Sequence, residues 1–306
     1  MIQLAKLKAI PFLHKAWAKY RLKRILDKHQ QVADFWQPII QAYFAGEIPI
    51  IRPKAKQDVP AKVIWQYWGQ GIDQSAMPEV VKLCFATVDC WKEDYTVIRL
   101  SDETVKDYLD LPQEIWEKCS GDVFNKTFFS DLLRLGLLST YGGIWLDATV
   151  LLTGPLPKQF IEQNYFMFQR KADEPDQILW SNSYAYYWGW DNGFKVRVLS
   201  SVIFANKESS VITALFDLML HYWMTQKTII DYFFLQILYQ ELISGKLASA
   251  VCLGQSDVLP HLLQTKINGQ LEKMSWVDVF AKTNIHKLTY FDGNGLQKLK
   301  KVLKDN

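Results

Sequence analysis

Two carboxylates and one guanidinium lie within a short stretch of the chain. Asp131 and Arg134 are three residues apart, so on a helix both side chains leave the same face. Asp147 follows the apolar run 144–146, which is typical of a buried strand. In open α/β sheets, ligands bind beyond the C-terminal ends of the strands. Carboxylates accept hydrogen bonds or hold hard cations, and a guanidinium binds oxyanions, so this order predicts a ligand site.

Each residue alone also has an ordinary explanation. Arg134 could be a surface partner of Asp131, and Asp147 could simply cap the next segment. Their joint order within one short stretch favours the site.

The elements that must position these residues are a helix, a turn and a strand. Leucines crowd the rest of the helical face and predict a buried helix: Leu132, Leu133, Leu135, Leu137 and Leu138. Gly142 and Gly143 then end the helix, because glycine adopts backbone angles that a Cβ atom forbids.

The same residues carry a resemblance to a known family. The segment SDLLR at 130–134, followed by YGGIWLDAT at 141–149, resembles the signature of the bacterial capsular polysaccharide synthesis glycosyltransferases. That family is related to sugar transferases with a D-x-D motif, including the clostridial glucosylating toxins and the yeast initiating mannosyltransferases. The likeness covers about residues 60–245, and it implies a GT-A-type fold.

The resemblance also implies roles for individual residues. Asp147 matches the first D-x-D position, as a catalytic residue and as a ligand of Mn²⁺ or Mg²⁺, and Thr149 stands where the second Asp would be. One carboxylate alone is a small ligand set, so diphosphate oxygens, water or a C-terminal residue would have to complete it. The expected nucleotide-sugar contacts are Trp68, Asp131, Arg134, Gly142, Gly143 and Thr149. The related enzymes retain anomeric configuration, which implies a reaction on one face of the sugar.

Aromatic residues provide further candidates. Trp68 ends the predicted first strand, 63–68, where it could stack on a nucleobase; Trp65 is the second choice, and both could instead be core residues. Residues 180–194 are rich in aromatics, Gly, Asn and Ser. They predict a loop on the acceptor side with Trp188 and Trp190 as sugar platforms, or alternatively an aromatic minicore.

Asp231 is a second catalytic candidate. It opens a D-Y-F element that matches the family, although an Asp capping a helix would look the same.

Alternating strands and helices predict an α/β fold with a mostly parallel, Rossmann-like sheet flanked by helices. The predicted divisions are a basic helical N-terminal extension over residues 1–59, the glycosyltransferase domain over 60–280 and a basic amphipathic helix over 281–306. Within the first extension we expect helices at 2–29, kinked at Pro11, and at 30–46.

Charge is unevenly distributed along the 306 residues. The net charge is +3, with +7 in residues 1–30 and +4 in residues 281–306, which leaves −8 for the body. An acidic body predicts no nucleic-acid partner, whereas the basic ends suit an anionic membrane surface. The alternative is that both terminal helices pack on the protein itself. No signal-peptide pattern is present, no apolar run reaches the roughly 18 residues of a membrane span, and the four cysteines lack C-x-x-C spacing. We therefore expect a cytoplasmic protein, peripheral at the inner face of the cell membrane.

Together with these observations, the resemblance implies a metal-dependent, retaining glycosyltransferase. It would move a sugar from a UDP-sugar to a lipid-linked capsule or exopolysaccharide repeat-unit intermediate. Two alternatives stay open: modification of a protein side chain, and a noncatalytic carbohydrate-binding or scaffold protein.

Overall fold

The computed structural model describes residues 11–73 and 75–305, without the side chains of residues 11–14. Seven strands form a five-stranded sheet and a two-stranded sheet within these residues. The strands are β1 Val63–Tyr67, β2 Thr96–Leu100, β3 Gly143–Leu146, β4 Val150–Leu152, β5 Tyr165–Gln169, β6 Val198–Ala205 and β7 Ile285–Lys287. The α-helices are α1 Pro11–Phe44, α2 Glu79–Trp91, α3 Gln113–Cys119, α4 Lys126–Tyr141, α5 Lys158–Ile161, α6 Gln177–Ser183, α7 Ser210–Thr225, α8 Phe234–Ser244, α9 Leu262–Ile267, α10 Trp276–Lys282 and α11 Gly293–Asp305.

The large sheet has the order β2-β1-β3-β6-β5. Strand β1 pairs in parallel with β2 and β3, and β6 is antiparallel to both β3 and β5. Four of the five strands therefore run in one direction. This arrangement confirms the predicted α/β class with a mostly parallel sheet.

Both faces of the sheet are buried, which is why β1 and β3 are almost entirely apolar, with the buried Gln66 of β1 as the exception. Trp65 and Trp145 point to the larger cluster, on the side of α4, α7 and α8. Ile64, Ile144 and Leu146 point to a second cluster on the opposite face. Side chains alternate across a strand, so a continuous apolar run is needed where helices cover both faces.

The N-terminal helix differs from the prediction. The described residues form one helix from Pro11 to Phe44, which continues through Pro38, instead of two helices divided near residue 30. The prediction for residues 2–10 lies outside the described residues. Val32 and Trp36 are fully buried in the larger cluster, and Trp36 Nε1 donates to the Phe234 carbonyl at 3.1 Å. Residue 59 therefore does not separate two cores.

The C-terminal helix begins later than the predicted boundary at residue 281. The predicted segment 281–306 contains β7, which pairs antiparallel with β4 before α11 begins. The apolar face of α11 packs on the body, with Leu299 fully buried and Lys298 donating to the Ile267 carbonyl at 3.1 Å. The C-terminal helix therefore packs on the protein itself, which was the alternative, and its apolar face is not available for a membrane.

After β2, residues 101–104 lead into a single 3-10 turn, Val105–Asp107, before α3.

Candidate active site

Helix α4 carries Asp131 and Arg134 on its buried side. Asn125 caps the helix, accepting hydrogen bonds from the backbone N–H groups of Thr127 at 3.0 Å and Phe128 at 3.4 Å. The predicted three-residue spacing holds, since Arg134 Nη1 lies 3.1 Å from Asp131 Oδ1. Helical periodicity thus accounts for this pair directly.

Strand β3 delivers Asp147 at its C-terminal end, as predicted. The Asp147 backbone N–H donates to the Ser201 carbonyl of β6 at 2.9 Å, and the indole of Trp145 donates to Asp147 Oδ1 at 2.8 Å. Arg134 Nη2 lies 3.3 Å from the same oxygen. The three residues of the central motif therefore meet at one edge of the sheet.

Arg134 is almost wholly enclosed by the protein. Besides the two aspartates, it donates to the Ser200 carbonyl at 2.7 Å and to the Ser130 carbonyl and hydroxyl at 3.0 Å each. Three of these contacts are hydrogen bonds and the two with the aspartates are ion pairs, so protein groups surround the guanidinium. Arg134 is thus placed to fix the two carboxylates, and its contact with a donor sugar stays a prediction.

Lys287 of β7 is the residue that the sequence did not indicate. Its Nζ donates to the Thr149 hydroxyl, lies 3.2 Å from the Leu288 carbonyl and is 3.7 Å from Asp147 Oδ2. Pairing of Leu152 with Ile285 and of Val150 with Lys287 fixes this position. The local signal is only a basic residue after Ile-His, and a run this short does not distinguish a strand from a loop.

The two carboxyls have opposite pKa shifts. Burial raises the pKa of Asp131 to about 6, against the attraction of Arg134. Burial would raise the pKa of Asp147 as well, but Arg134 and Lys287 outweigh it and lower that pKa. Asp147 is therefore the permanently charged member of the pair at neutral pH.

Gly142 and Gly143 do not lie at the ligand edge. Both have positive φ angles, 74° and 100°, as the predicted turn requires. A Cβ atom on Gly143 would lie 2.5 Å from Val63 Cγ1 and 2.6 Å from its carbonyl oxygen. Gly143 begins β3 and Asp147 follows its end, about 13 Å further along an extended chain. The expected nucleotide-sugar contacts are corrected to packing roles, of Gly143 against β1 and of Gly142 against the backbone at 205–207.

The two tryptophans of the first strand differ in exposure. Trp65 is fully buried and donates to the Gly142 carbonyl at 3.0 Å, so it is a core residue. Trp68 follows β1, half-buried, at the same edge of the sheet as Asp147. Stacking of Trp68 on a nucleobase stays a prediction.

Trp188 belongs to the aromatic minicore that was the alternative for residues 180–194. It is 4% exposed, and the guanidinium of Arg170 lies 4.3 Å from its ring centroid and 4.8 Å from that of Trp190. Arg170 also forms a buried ion pair with Asp257 at 2.8 Å. Trp188 therefore has no free face for a sugar, whereas Trp190 is half-buried and its role stays a prediction.

Asp231 stabilises the turn before α8 and lines a cleft, but it is not the cap of that helix, because the N-cap residue is Phe233. Its Oδ1 accepts a hydrogen bond from the Phe233 N–H at 2.8 Å, just before α8. The cleft, about 900 Å³ in volume, lies between α1 and this turn. Its walls are Trp17, Tyr20, Arg21, Arg24, Ile25, Asp27, Lys28, His29, Gln31, Tyr184, Tyr186, Asp231, Tyr232 and Phe233.

Tyr232 connects this cleft with the carboxylates. It is 55% exposed, and burial of its hydroxyl together with the charges of Asp131 and Asp147 raises its pKa. Its ring also lies 5.9 Å from that of Phe128, in the first turn of α4. The cleft and the charged cluster are therefore neighbours.

The protein groups around Asp147 do not fit a divalent ion held by the chain alone. Within residues 11–73 and 75–305, no group of three or more His, Cys, Asp or Glu side chains could hold a metal. Both oxygens of Asp147 face cations, Arg134 on one side and Lys287 on the other. A bound Mn²⁺ or Mg²⁺ would be repelled by both. Whether a donor brings an ion with it stays a prediction.

A family model described as "Capsular polysaccharide synthesis protein" matches residues 17–304 of the chain. The chain belongs to this family. The match confirms the predicted family and, with it, the predicted enzyme class, a glycosyltransferase. It extends beyond the expected 60–245 at both ends, in agreement with the packing of α1 and the position of Lys287.

Two other comparisons are weaker. The solved structure of the PaToxG glycosyltransferase is 15% identical, covering 92% of this chain and 96% of that chain, with a TM-score of 0.34. No curated protein matches the chain.

Proposed function

We propose that this member of the capsular polysaccharide synthesis family transfers a sugar from a UDP-sugar to a lipid-linked capsule or exopolysaccharide intermediate. The observation that carries the proposal is the convergence of Asp131, Arg134, Asp147 and Lys287 at the C-terminal edge of the sheet. This edge is where open α/β sheets bind ligands.

In the proposed reaction, the bond between the anomeric carbon and the diphosphate oxygen breaks, and the acceptor hydroxyl oxygen forms the new bond to that carbon. The proton of the acceptor hydroxyl passes to the departing nucleoside diphosphate, on the same face of the sugar. Asp131 accepts hydrogen bonds from the sugar hydroxyls, and Asp147, held by Trp145, orients the sugar and ribose.

The acceptor is proposed to enter through the cleft beside Tyr232. Five of its walls are aromatic side chains with an exposed fraction between 45% and 59%: Trp17, Tyr20, Tyr184, Tyr186 and Tyr232. Such rings stack on sugar faces. Arg21 and Arg24 on α1 add positive charge for an acceptor phosphate. These residues replace Trp188 as the acceptor platform.

The lipid-linked acceptor would be reached from a membrane surface. Among the described residues, none of the helices could span a bilayer. The charge of the basic N- and C-terminal regions supports peripheral, electrostatic binding at the inner face of the cell membrane as part of the proposal.

Donor hydrolysis tests the proposal. The purified protein is incubated with a panel of UDP- and GDP-sugars, with and without Mn²⁺, and release of the nucleoside diphosphate is followed. We expect one UDP-sugar to be hydrolysed by the native chain. Equal release by an Asp147→Asn variant would contradict the assignment of this site.

A further inference from the structure

Lys287 occupies the place beside Asp147 where a divalent cation would be needed. We propose that the Lys287 ammonium binds the donor diphosphate and that nucleotide binding needs no metal ion. The inference rests on the proposed function for the identity of the ligand, and it assigns the residue that neutralises the diphosphate.

The hydrogen-bond donors of the two cations separate their roles. Arg134 is 4% exposed, donates three hydrogen bonds to Ser130 and Ser200, and forms ion pairs with Asp131 and Asp147. Lys287 is 19% exposed, and only two of its three N–H groups have a hydrogen-bond acceptor, Thr149 and Leu288. At 3.7 Å, its contact with Asp147 Oδ2 is an ion pair without a hydrogen bond. One N–H of the more exposed Lys287 can therefore turn towards a ligand, whereas the guanidinium of Arg134 is enclosed by protein groups.

Charge balance supports the same assignment. Two carboxylates with a divalent cation carry no net charge. Asp147 with Lys287, and with the neutral hydroxyl of Thr149 in the second position, carries no net charge either. Replacing one carboxylate by a hydroxyl and a divalent ion by an ammonium thus preserves the electrostatic balance of the site.

The fold fixes the ammonium in this place. Backbone pairing sets Lys287 opposite Val150, and the Leu288 N–H donates to the Thr149 carbonyl at 2.9 Å. Strand β7 is therefore held to the Asp147–Thr149 turn by main-chain bonds, and the ammonium is positioned before a ligand arrives. Such preorganisation is what makes charge stabilisation effective in catalysis.

The test measures binding of UDP and of inorganic pyrophosphate by calorimetry, in EDTA and in Mn²⁺. We expect the native chain to bind UDP with the same Kd, within about threefold, under both conditions. Lys287→Met should raise the Kd by about 10- to 100-fold, since it removes one charged hydrogen bond. Lys282→Met, an exposed lysine at the end of α10, is the matched control and should not change the Kd.

A double variant makes the test stricter. Thr149→Asp combined with Lys287→Met restores two carboxylates and removes the ammonium, so its UDP binding should become dependent on Mn²⁺. The unfolding midpoint of each variant is compared with that of the native chain, to show that the variant is folded. The comparison of UDP binding in EDTA and in Mn²⁺ is made on the native chain and does not depend on any variant.

The possible failures are distinguishable. Loss of UDP binding by the native chain in EDTA, with binding in Mn²⁺, would overturn the inference and leave the proposed function in place. An unchanged Kd in a folded Lys287→Met variant would overturn it as well. Absence of UDP and pyrophosphate binding under every condition would overturn the inference and the proposed function together.

Discussion

The charge of Asp147, more than its size, is what the site requires of this residue. Its carboxylate is held by the indole of Trp145 and by Arg134, and these contacts keep its pKa low. Such a fixed charge has its value in orienting the donor and in balancing two neighbouring cations.

Replacing Asp147 by Asn keeps the size of the side chain and removes its charge. We expect turnover to fall by roughly 10²- to 10³-fold, as for loss of one preorganised electrostatic group. The unfolding midpoint should change little, because the side chain is 22% exposed and the Ser201 bond is made by the backbone. Steady-state donor hydrolysis measures the effect, with Asp94→Asn, an exposed aspartate paired with Lys62, as the control.

The raised pKa of Asp131 predicts the pH dependence of the reaction. Its pKa is about 6, so below this pH the buried carboxyl is neutral and would accept the proposed hydrogen bonds from sugar hydroxyls more weakly than the carboxylate. We expect kcat/KM for the donor to be constant above about pH 7 and to fall with a slope of one below pH 6.

The same pH profile of an Asp131→Asn variant is the control. It should be lower at neutral pH and flat through pH 6, because the titrating group is gone. If kcat/KM of the Asp131→Asn variant still fell below pH 6, a group other than Asp131 would be responsible for the pH dependence.

At the scale of elements, α1 is part of the enzyme body. Trp36 stacks on Phe234 with ring planes 8° apart, and the Tyr43 hydroxyl donates to buried Asp217 at 2.8 Å. The charge run of its first half suggested a detachable helix, but the apolar residues of its second half decide the packing.

Trp36→Ala should therefore lower the free energy of unfolding by about 3–5 kcal/mol, the usual cost of truncating a buried aromatic side chain. Trp17→Ala, on the same helix but 45% exposed, should change it by less than about 0.5 kcal/mol. Denaturant unfolding of both variants measures the difference. Equal stability of the Trp36→Ala variant would mean that α1 is indeed an extension.

The sequence was informative wherever the deciding interactions are local. Helical spacing placed Asp131 beside Arg134, and the apolar run before Asp147 placed this residue at a strand end. Lys287 was missed because its strand is only three residues long and is defined by pairing with β4. Lys287 and its partner Thr149 are 138 residues apart in the sequence. Trp188 was ambiguous because stacking on a sugar and packing in a core favour the same residue type, and only the position of Arg170 distinguishes them.

On the scale of the whole molecule, the charge distribution predicts the mode of membrane binding. The first 30 residues carry +7 and residues 281–306 carry +4, against −8 for the rest. The apolar face of α11 is buried in the body, while Lys301 and Lys304 are exposed. Attraction to anionic lipid at this end of the chain should therefore be electrostatic.

We expect the protein to sediment with anionic vesicles most strongly at low ionic strength and progressively less as salt rises, because the Debye length shortens to about 8 Å at physiological salt and further above it. Lys301→Glu combined with Lys304→Glu should weaken the binding, because each basic residue near the lipid contributes about 1 kcal/mol. Zwitterionic vesicles are the control. Binding that persists at high salt would indicate insertion of apolar residues.

The pairing of β7 with β4 has a consequence for biosynthesis. A growing chain that has just released Thr149 from the ribosome still lacks Lys287, which follows 138 residues later. If Lys287 binds the diphosphate as proposed, a nascent chain would lack this ammonium until most of its translation has finished, and a truncated product ending before β7 should bind the nucleotide more weakly than the native chain.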